Sequence, residues 1–269
     1  MPPAFIAEAT LTNPNTSPKT NHNAFMPLNF KSLATTLLAS EFGSALWENK
    51  ETPVEQEALP PAYVIDPTKP MIALTFDDGP SVYTNKILDI LEQYNSRATF
   101  CVLGSFAEGN YYTVLRQHEI GCEVIGHSWN HRDLTKLSEQ DIRAQLIETN
   151  NTIESITGVA PIAHRAPYGA VNNSVRKVSR ELGLSIILWT VDTQDWKTRN
   201  ADAVYTYIMN NAFDKSIILC HDLHSTTAAA MERVVPELID SGYQLVTVSE
   251  LLYFSGKIQE PGVVYRSGW

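Results

Sequence analysis

From residue 71 onward, short apolar runs alternate with stretches whose apolar residues recur at helical spacing. Residues 71–76, 98–103, 123–127, 161–165, 185–191, 216–220 and 244–248 read as strands. Between them, residues 85–94, 112–118, 138–157, 172–182, 201–212 and 227–241 read as helices. The longest helix opens on a capping Ser138 and stops at Gly158. Seven strands separated by helices imply parallel pairing with the helices outside the sheet. The runs at 186–188 and 217–219 are apolar throughout, as expected for strands buried on both faces. That count favours a closed or nearly closed barrel over an open sheet.

The first 70 residues lack this alternation. Residues 1–24 are rich in Asn, Thr, Pro and Ser and read as a flexible arm. Residues 25–70 read as a helix followed by a Pro-rich linker, with five Pro between 49 and 70. Phe30, Leu33, Leu37, Leu38 and Leu46 fall near helical spacing and predict a helix laid against the domain. The same stretch is a poor signal peptide, because Glu41 interrupts its apolar run and no clean cleavage site follows. A single catalytic domain is expected over 71–252, with a short C-terminal tail over 253–269.

Composition narrows the function. Hydrophobic residues make up 43% and charged residues 19%, which is ordinary globular usage. Lys plus Arg number 20 against 30 Asp plus Glu, a net charge of −10. An acidic chain of this kind lacks the electrostatic footprint of a nucleic-acid binder, and no apolar run is long enough to span a membrane. Cys101, Cys122 and Cys220 sit in apolar surroundings without CxxC spacing and read as buried thiols.

The polar residues gather at the strand ends. Asp77-Asp78, His127 to His131, Arg165 to Tyr168, Asp192 to Trp196 and His221-Asp222 each follow an apolar run. Carboxyl ends of parallel strands build active sites in such folds, so five of them would point into one mouth. His127 and His131 are four apart, a spacing that in a helical turn places both imidazoles on one face. Asp78 added to them makes a His2Asp set that leaves one position for water, the composition of a catalytic metal site. Arg165 beside Asp77 would hold that carboxylate ionised, and Asp195 beside His221 would hold the imidazole protonated. Trp196 and Leu219 read as walls of a small apolar pocket. His164 and His224 read as lining residues, and Asp222 as a group that orients a neighbour.

In order, TFDDGP (75–80), HSWNH (127–131), RAPYG (165–169), DTQDW (192–196) and ILCH (218–221) resemble the five motifs of the polysaccharide deacetylases, the NodB-like domain of carbohydrate esterase family four. The resemblance covers residues 71–251. It implies a distorted (β/α)7 barrel and a divalent metal, Zn2+ before Co2+ or Ni2+, held by Asp78, His127 and His131. It further implies Asp77 as catalytic base, His221 as acid, and Arg165 and Asp195 as the partners that tune them. Tyr168 and Pro167, with Trp196 and Leu219, are implied to receive the substrate, the Tyr168 N–H helping to hold the oxyanion. Gly126 and His164 depart from the residues common at those positions.

The expected activity is removal of acetyl groups from a glycan, foremost the N-acetylglucosamine of peptidoglycan or chitin. An N-acetyl substrate is preferred because an amine leaves poorly without an acid, and Asp195 with His221 forms a complete acid pair. O-acetyl xylan is the alternative within the family, and a non-catalytic glycan-binding barrel the alternative outside it. A small-molecule amidohydrolase is a third reading, disfavoured because no long insertion could close the cleft. A monomer acting at or beyond the cell surface is expected, with neither nucleic acid nor membrane span involved.

Overall fold

A computed structural model describes residues 63–269. The arm expected over 1–24 and the helix expected within 25–70 lie outside the described residues. Strand β1 (Met71–Asp77) is followed by α1 (Thr84–Gln93), β2 (Thr99–Val102), α2 (Gly104–Gly109), α3 (Tyr111–Glu119), β3 (Glu123–Gly126), α4 (Glu139–Thr157) and β4 (Ala163–His164). Next come α5 (Asn173–Glu181), β5 (Ser185–Ile187), β6 (Val191–Asp192), α6 (Asp195–Thr198), α7 (Ala201–Asn211) and β7 (Ile217–His221). Last are α8 (Ser225–Asp240), β8 (Gln244–Leu245), α9 (Val248–Phe254) and β9 (Val264–Tyr265). The Ser138 hydroxyl accepts from the Asp141 N–H at the start of α4, and Gly158 ends that helix at φ 75°. Among the described residues, no helix is long and apolar enough to cross a membrane.

The strands pair in parallel in the order β6-β7-β1-β2-β3-β4-β5-β9, with β8 beside the start of β1. This is the expected distorted (β/α)7 barrel, and its distortion has a local cause. The run over 185–191, expected as one strand, is two. β5 pairs with β4, whereas β6 pairs with β7, so a single segment changes neighbours and closes the ring. The gap left below β6 is filled from the C-terminal residues expected to form a tail. β9 pairs with β5, and Ser267 bridges to Ser216 just before β7. Helix α9 closes the lower end, with Val248, Leu251 and Leu252 buried against Met71, Ala73 and Ile217.

Alternation along the strands decides what faces the barrel interior. In β1, Ile72, Leu74 and Phe76 pack outward among the helices, while Met71 and Ala73 pack inward. Thr75 and Asp77 therefore share the inner face. The same parity applies to Cys101 in β2, Ile125 in β3, Ala163 in β4 and Ile217 in β7, all inside. Continued past the last strand bonds, it turns His127, Arg165 and His221 toward the interior. It turns Gly126 and His164 away, toward α4 and α5. All three cysteines are buried free thiols.

His164 is therefore not the lining residue expected from sequence. It is fully buried, and its Nε2 lies 2.7 Å from the Ser179 hydroxyl on α5. That hydroxyl donates to the Val175 carbonyl, so Nε2–H is the donor and Nδ1 is left without a partner. Burial, followed by the neighbouring His127, pushes the His164 pKa down to about 3.

A depressed pKa makes the unfolded chain take up a proton near pH 6.5 while the folded chain waits until about pH 3, so this group's stability contribution is full above 6.5 and is lost as pH falls. Urea unfolding of His164→Leu should show a pH 7 to pH 5 stability loss smaller than the wild type's by about 2 kcal/mol. Equal losses would mean that His164 titrates alike in the folded and unfolded chains.

Candidate active site

Asp77 ends β1 on the inner face, and its backbone is in register with Cys101 on one side and His221 on the other. A regular strand would turn the next residue outward. Asp78 instead takes φ 71°, a left-handed conformation open to aspartate, and its carboxylate swings to the same rim. Gly79 follows with no room for a side chain. A Cβ there would lie 2.2 Å from the Asp222 carboxylate, which is buried beneath the turn and accepts from the Thr84 hydroxyl. Burial pushes the Asp222 pKa up to about 7. Its role as an orienting group is thus to back the Asp77–Gly79 turn.

The 127–131 segment is a loop, not the helical turn its spacing suggested. Ser128 (φ 66°) and His131 (φ 59°) both reverse the chain, and the Ser128 hydroxyl accepts from the His131 N–H. Gln145 on α4 accepts from the Trp129 and Asn130 N–H groups and pins the loop. The reversals bring the two imidazoles to a centroid separation of 5.0 Å, as a helix would have done by another route.

His127 Nδ1 lies 2.8 Å from the Arg165 carbonyl, which can only accept. Nδ1 therefore carries the proton, and in the neutral ring Nε2 presents a lone pair. That atom is 3.4 Å from Asp78 Oδ1, and His131 Nε2 is 3.3 Å from the same oxygen. Burial and the nearby His127 lower the His131 pKa against the opposing pull of Asp78 and Asp77, which favours the neutral ring a metal needs. The three ligand atoms lie within 4.8 Å of one another, and Asp78 Oδ1 is buried without any hydrogen-bond partner. A buried carboxylate oxygen with no hydrogen-bond partner, facing two imidazole nitrogens, is costly unless a cation sits between them. These residues fit a divalent metal.

Beside the triad stand a carboxylate and an imidazole, each tuned by a partner. Arg165 is fully buried, and its Nη1 donates to Asp77 Oδ1 at 2.6 Å and to the Thr75 hydroxyl at 2.8 Å. Burial alone would raise the Asp77 pKa, but the Arg165 charge, helped by His127 and His221, outweighs it and holds the carboxyl below its usual range. Asp77 Oδ2 is left facing His127 Nε2 at 3.6 Å. Asp195 Oδ1 lies 2.7 Å from His221 Nδ1, and its Oδ2 accepts from the His221 N–H and the Thr227 hydroxyl. Burial works against a charged His221, yet the Asp195 bond and charge overcome it and push the imidazole pKa up to about 9. Nδ1–H is spent on Asp195, so Nε2–H faces the cleft.

Asp77, Asp78, His127, His131, Tyr168, Trp196, Leu219 and His221 line one cleft of about 450 Å3 together with Trp189 and Asp192. Tyr168 is 69% exposed at its rim, and its ring meets His131 edge-on at 4.6 Å. Pro167 is buried and does not line the cleft; it opens the 3-10 turn that presents Tyr168. His224 also stands outside the lining, its ring 6.4 Å from that of His221. Trp189 escaped the sequence reading because it sits in an apolar run that looked like continuous strand. The break between β5 and β6 turns it inward.

The chain is 43% identical over 195 residues to the peptidoglycan-N-acetylmuramic acid deacetylase PdaC of Bacillus subtilis, covering 72% of this chain and 41% of that protein. It is 46% identical over 185 residues to the peptidoglycan-N-acetylglucosamine deacetylase PgdA of Listeria monocytogenes, covering 68% of this chain and 39% of that one. The match thus spans about two fifths of each relative's length. The solved structure of B. subtilis peptidoglycan deacetylase PdaC superimposes with a TM-score of 0.69 at 42% identity, covering 71% of this chain and 94% of the other. Residues 65–187 match the polysaccharide deacetylase family itself, and the chain belongs to that family.

Proposed function

We propose that this chain hydrolyses acetyl groups from a glycan, foremost the N-acetyl groups of glucosamine in peptidoglycan or chitin. The observation that carries the reading is the unpartnered Asp78 Oδ1 facing two imidazole nitrogens, with a held-ionised Asp77 and a held-protonated His221 on the same cleft. Asp78, His127 and His131 would hold the metal. Zinc is favoured over Co2+ or Ni2+, because two imidazole nitrogens and one carboxylate make up a donor set typical of catalytic zinc. Bound there, the metal supplies a Lewis acid that acidifies water and polarises the acyl oxygen.

Asp77 Oδ2, the oxygen not tied to Arg165, accepts the proton of the attacking water. The Tyr168 N–H donates to the oxygen that gains charge as the acyl carbon becomes tetrahedral. His221 Nε2 gives its proton to the leaving nitrogen as the C–N bond breaks, releasing acetate and a free amine. Trp196, Leu219 and Trp189 enclose the acetyl methyl and exclude water from it. The acid is worth most for an amide, since an amine is a far poorer leaving group than an alcohol. That supports an N-acetyl over an O-acetyl xylan substrate. All these groups come from one chain, which supports a monomer, and glycans of this class place the work at or beyond the cell surface.

Acetate release from chitooligosaccharides, peptidoglycan and acetylxylan, each with added zinc, tests the reading directly. Release only from acetylxylan would reverse the N-acetyl assignment, and none from any glycan would sink the proposal. His127→Ala should lose stoichiometric zinc by elemental analysis and at least about 100-fold in activity. Asp77→Asn and His221→Ala should each lower kcat by about 10²–10⁴-fold while zinc content stays at one per chain. Because His221 is protonated below its raised pKa of about 9, activity should fall as pH rises through that value. Asp195→Asn removes the group that raises it, so its alkaline limb should move to lower pH; an unmoved limb would assign that limb elsewhere.

A further inference from the structure

A second recess of about 430 Å3 opens beyond the catalytic cleft, lined by His131, Arg132, Asp133, Lys136, Leu137 and Tyr168. His131 and Tyr168 line both spaces, so the two are adjoining compartments that meet at these two rings. Their charges differ. The cleft carries Asp77, Asp78 and Asp192 against the protonated His221, whereas the recess carries two cations and one acid. The acid is already committed. Asp133 Oδ1 accepts from the Thr135 N–H and hydroxyl at 3.0 and 2.6 Å, and its Oδ2 pairs with Lys136 at 3.1 Å. Arg132 is exposed, and among the described residues it makes no hydrogen bond or ion pair.

We infer that this recess is a subsite for a carboxylate carried by the sugar next to the one being deacetylated, the free lactyl carboxylate of a muramic acid unit that bears no peptide. The inference rests on the cleft holding an acetylated glycan. A guanidinium offers a planar fork that matches a carboxylate with two parallel hydrogen bonds. The recess supplies one such uncommitted fork, and the Lys136 charge beside it is already balanced by Asp133. A singly charged planar anion suits that balance; a doubly charged phosphate would meet Asp133 without a second free cation. Where the compartments meet, the Tyr168 ring is an exposed aromatic face on which a sugar ring can lie. A glycan threaded from cleft to recess would thus place one acetamide at the triad and its neighbour's substituent at Arg132. A neutral chitin chain, and a muramic acid whose lactyl carboxyl is amide-linked to a peptide, both leave Arg132 unused, so the recess favours glycan strands whose lactyl carboxyls are free.

Calorimetry on the zinc-loaded chain tests this with three probes. They are an alternating N-acetylglucosamine–N-acetylmuramic acid tetrasaccharide, the same oligomer with its lactyl carboxyls reduced to alcohols, and a glucuronoxylan oligosaccharide. The carboxylate oligomer should bind about tenfold tighter than its reduced twin, the margin should shrink as salt rises, and R132Q should abolish it. Equal wild-type affinities, a margin that survives in R132Q, or an equal weakening of both oligomers by R132Q would each overturn the assignment. Tighter binding of the uronate oligomer than of the muramic one would overturn it in favour of uronic acids. Acetate release measured alongside separates the two readings. Turnover of both tetrasaccharides without a binding margin refutes the recess alone, and binding without release of acetate from any glycan refutes the catalytic reading alone.

Discussion

The buried pair of Arg165 and Asp77 is the contact on which the rest of this site hangs. A guanidinium with no exposed surface is costly unless nearly every N–H finds an acceptor. Here Nη1 serves Asp77 and Thr75, Nε reaches the Ile187 carbonyl at 3.3 Å, and Nη2 reaches the Leu188 carbonyl at 3.3 Å. Those two carbonyls belong to the segment where the wall of the barrel stops pairing with β4 and starts pairing with β7. One side chain therefore satisfies backbone groups at the seam and holds the carboxylate in its ionised form. The Arg165 carbonyl completes the arrangement by fixing the His127 tautomer. Barrel closure, the ionisation of Asp77 and the orientation of His127 meet at a single residue.

The second constraint is the opposition of two tuned groups across a short distance. Asp77 and His221 occupy paired positions on neighbouring strands. Their environments push them apart in protonation: Arg165 depresses the first, and Asp195 raises the second. Such divergence widens the difference between the two groups, keeping the carboxylate ionised and the imidazole protonated over a wide pH range. Each tuning partner is itself buried and anchored, Asp195 by the His221 and Thr227 donors, so neither charge relaxes when a ligand enters. Left-handed backbone at Asp78, Ser128, His131 and Tyr168 clusters at the same rim. Strain of that kind persists only where surrounding structure over-determines it, and here Gln145, Asp222 and the Tyr168 turn provide the restraint.

Much of this was legible in the residue order. The main strands and helices between β1 and α8 follow the apolar periodicity, apart from the short α2 and α6 and the split of β5 from β6, because burial on one or both faces leaves a direct mark on residue type. The clustering of Asp77, Asp78, His127, His131, Arg165, Asp195 and His221 followed from a rule of position, since parallel strands deliver their carboxyl ends to one mouth. Other features left no such mark. The break inside 185–191 is invisible because Leu188, Trp189 and Thr190 are as apolar and strand-prone as their neighbours. The burial of His164 and Pro167 away from the cleft depends on strand parity and turn geometry rather than on residue type.

Alone, the order of residues settled which chemical groups exist and along which strand ends they lie, because hydrophobic burial and strand alternation are properties of local sequence. Tertiary structure decided which of those groups touch. It set Arg165 against both Asp77 and the seam carbonyls, replaced a helical turn by a loop at His127–His131, drew β9 into the wall, and left the Arg132 fork open beside Tyr168. Contacts between residues nearly a hundred positions apart are fixed by how the ring closes, and ring closure is a property of the whole sheet that no local window contains.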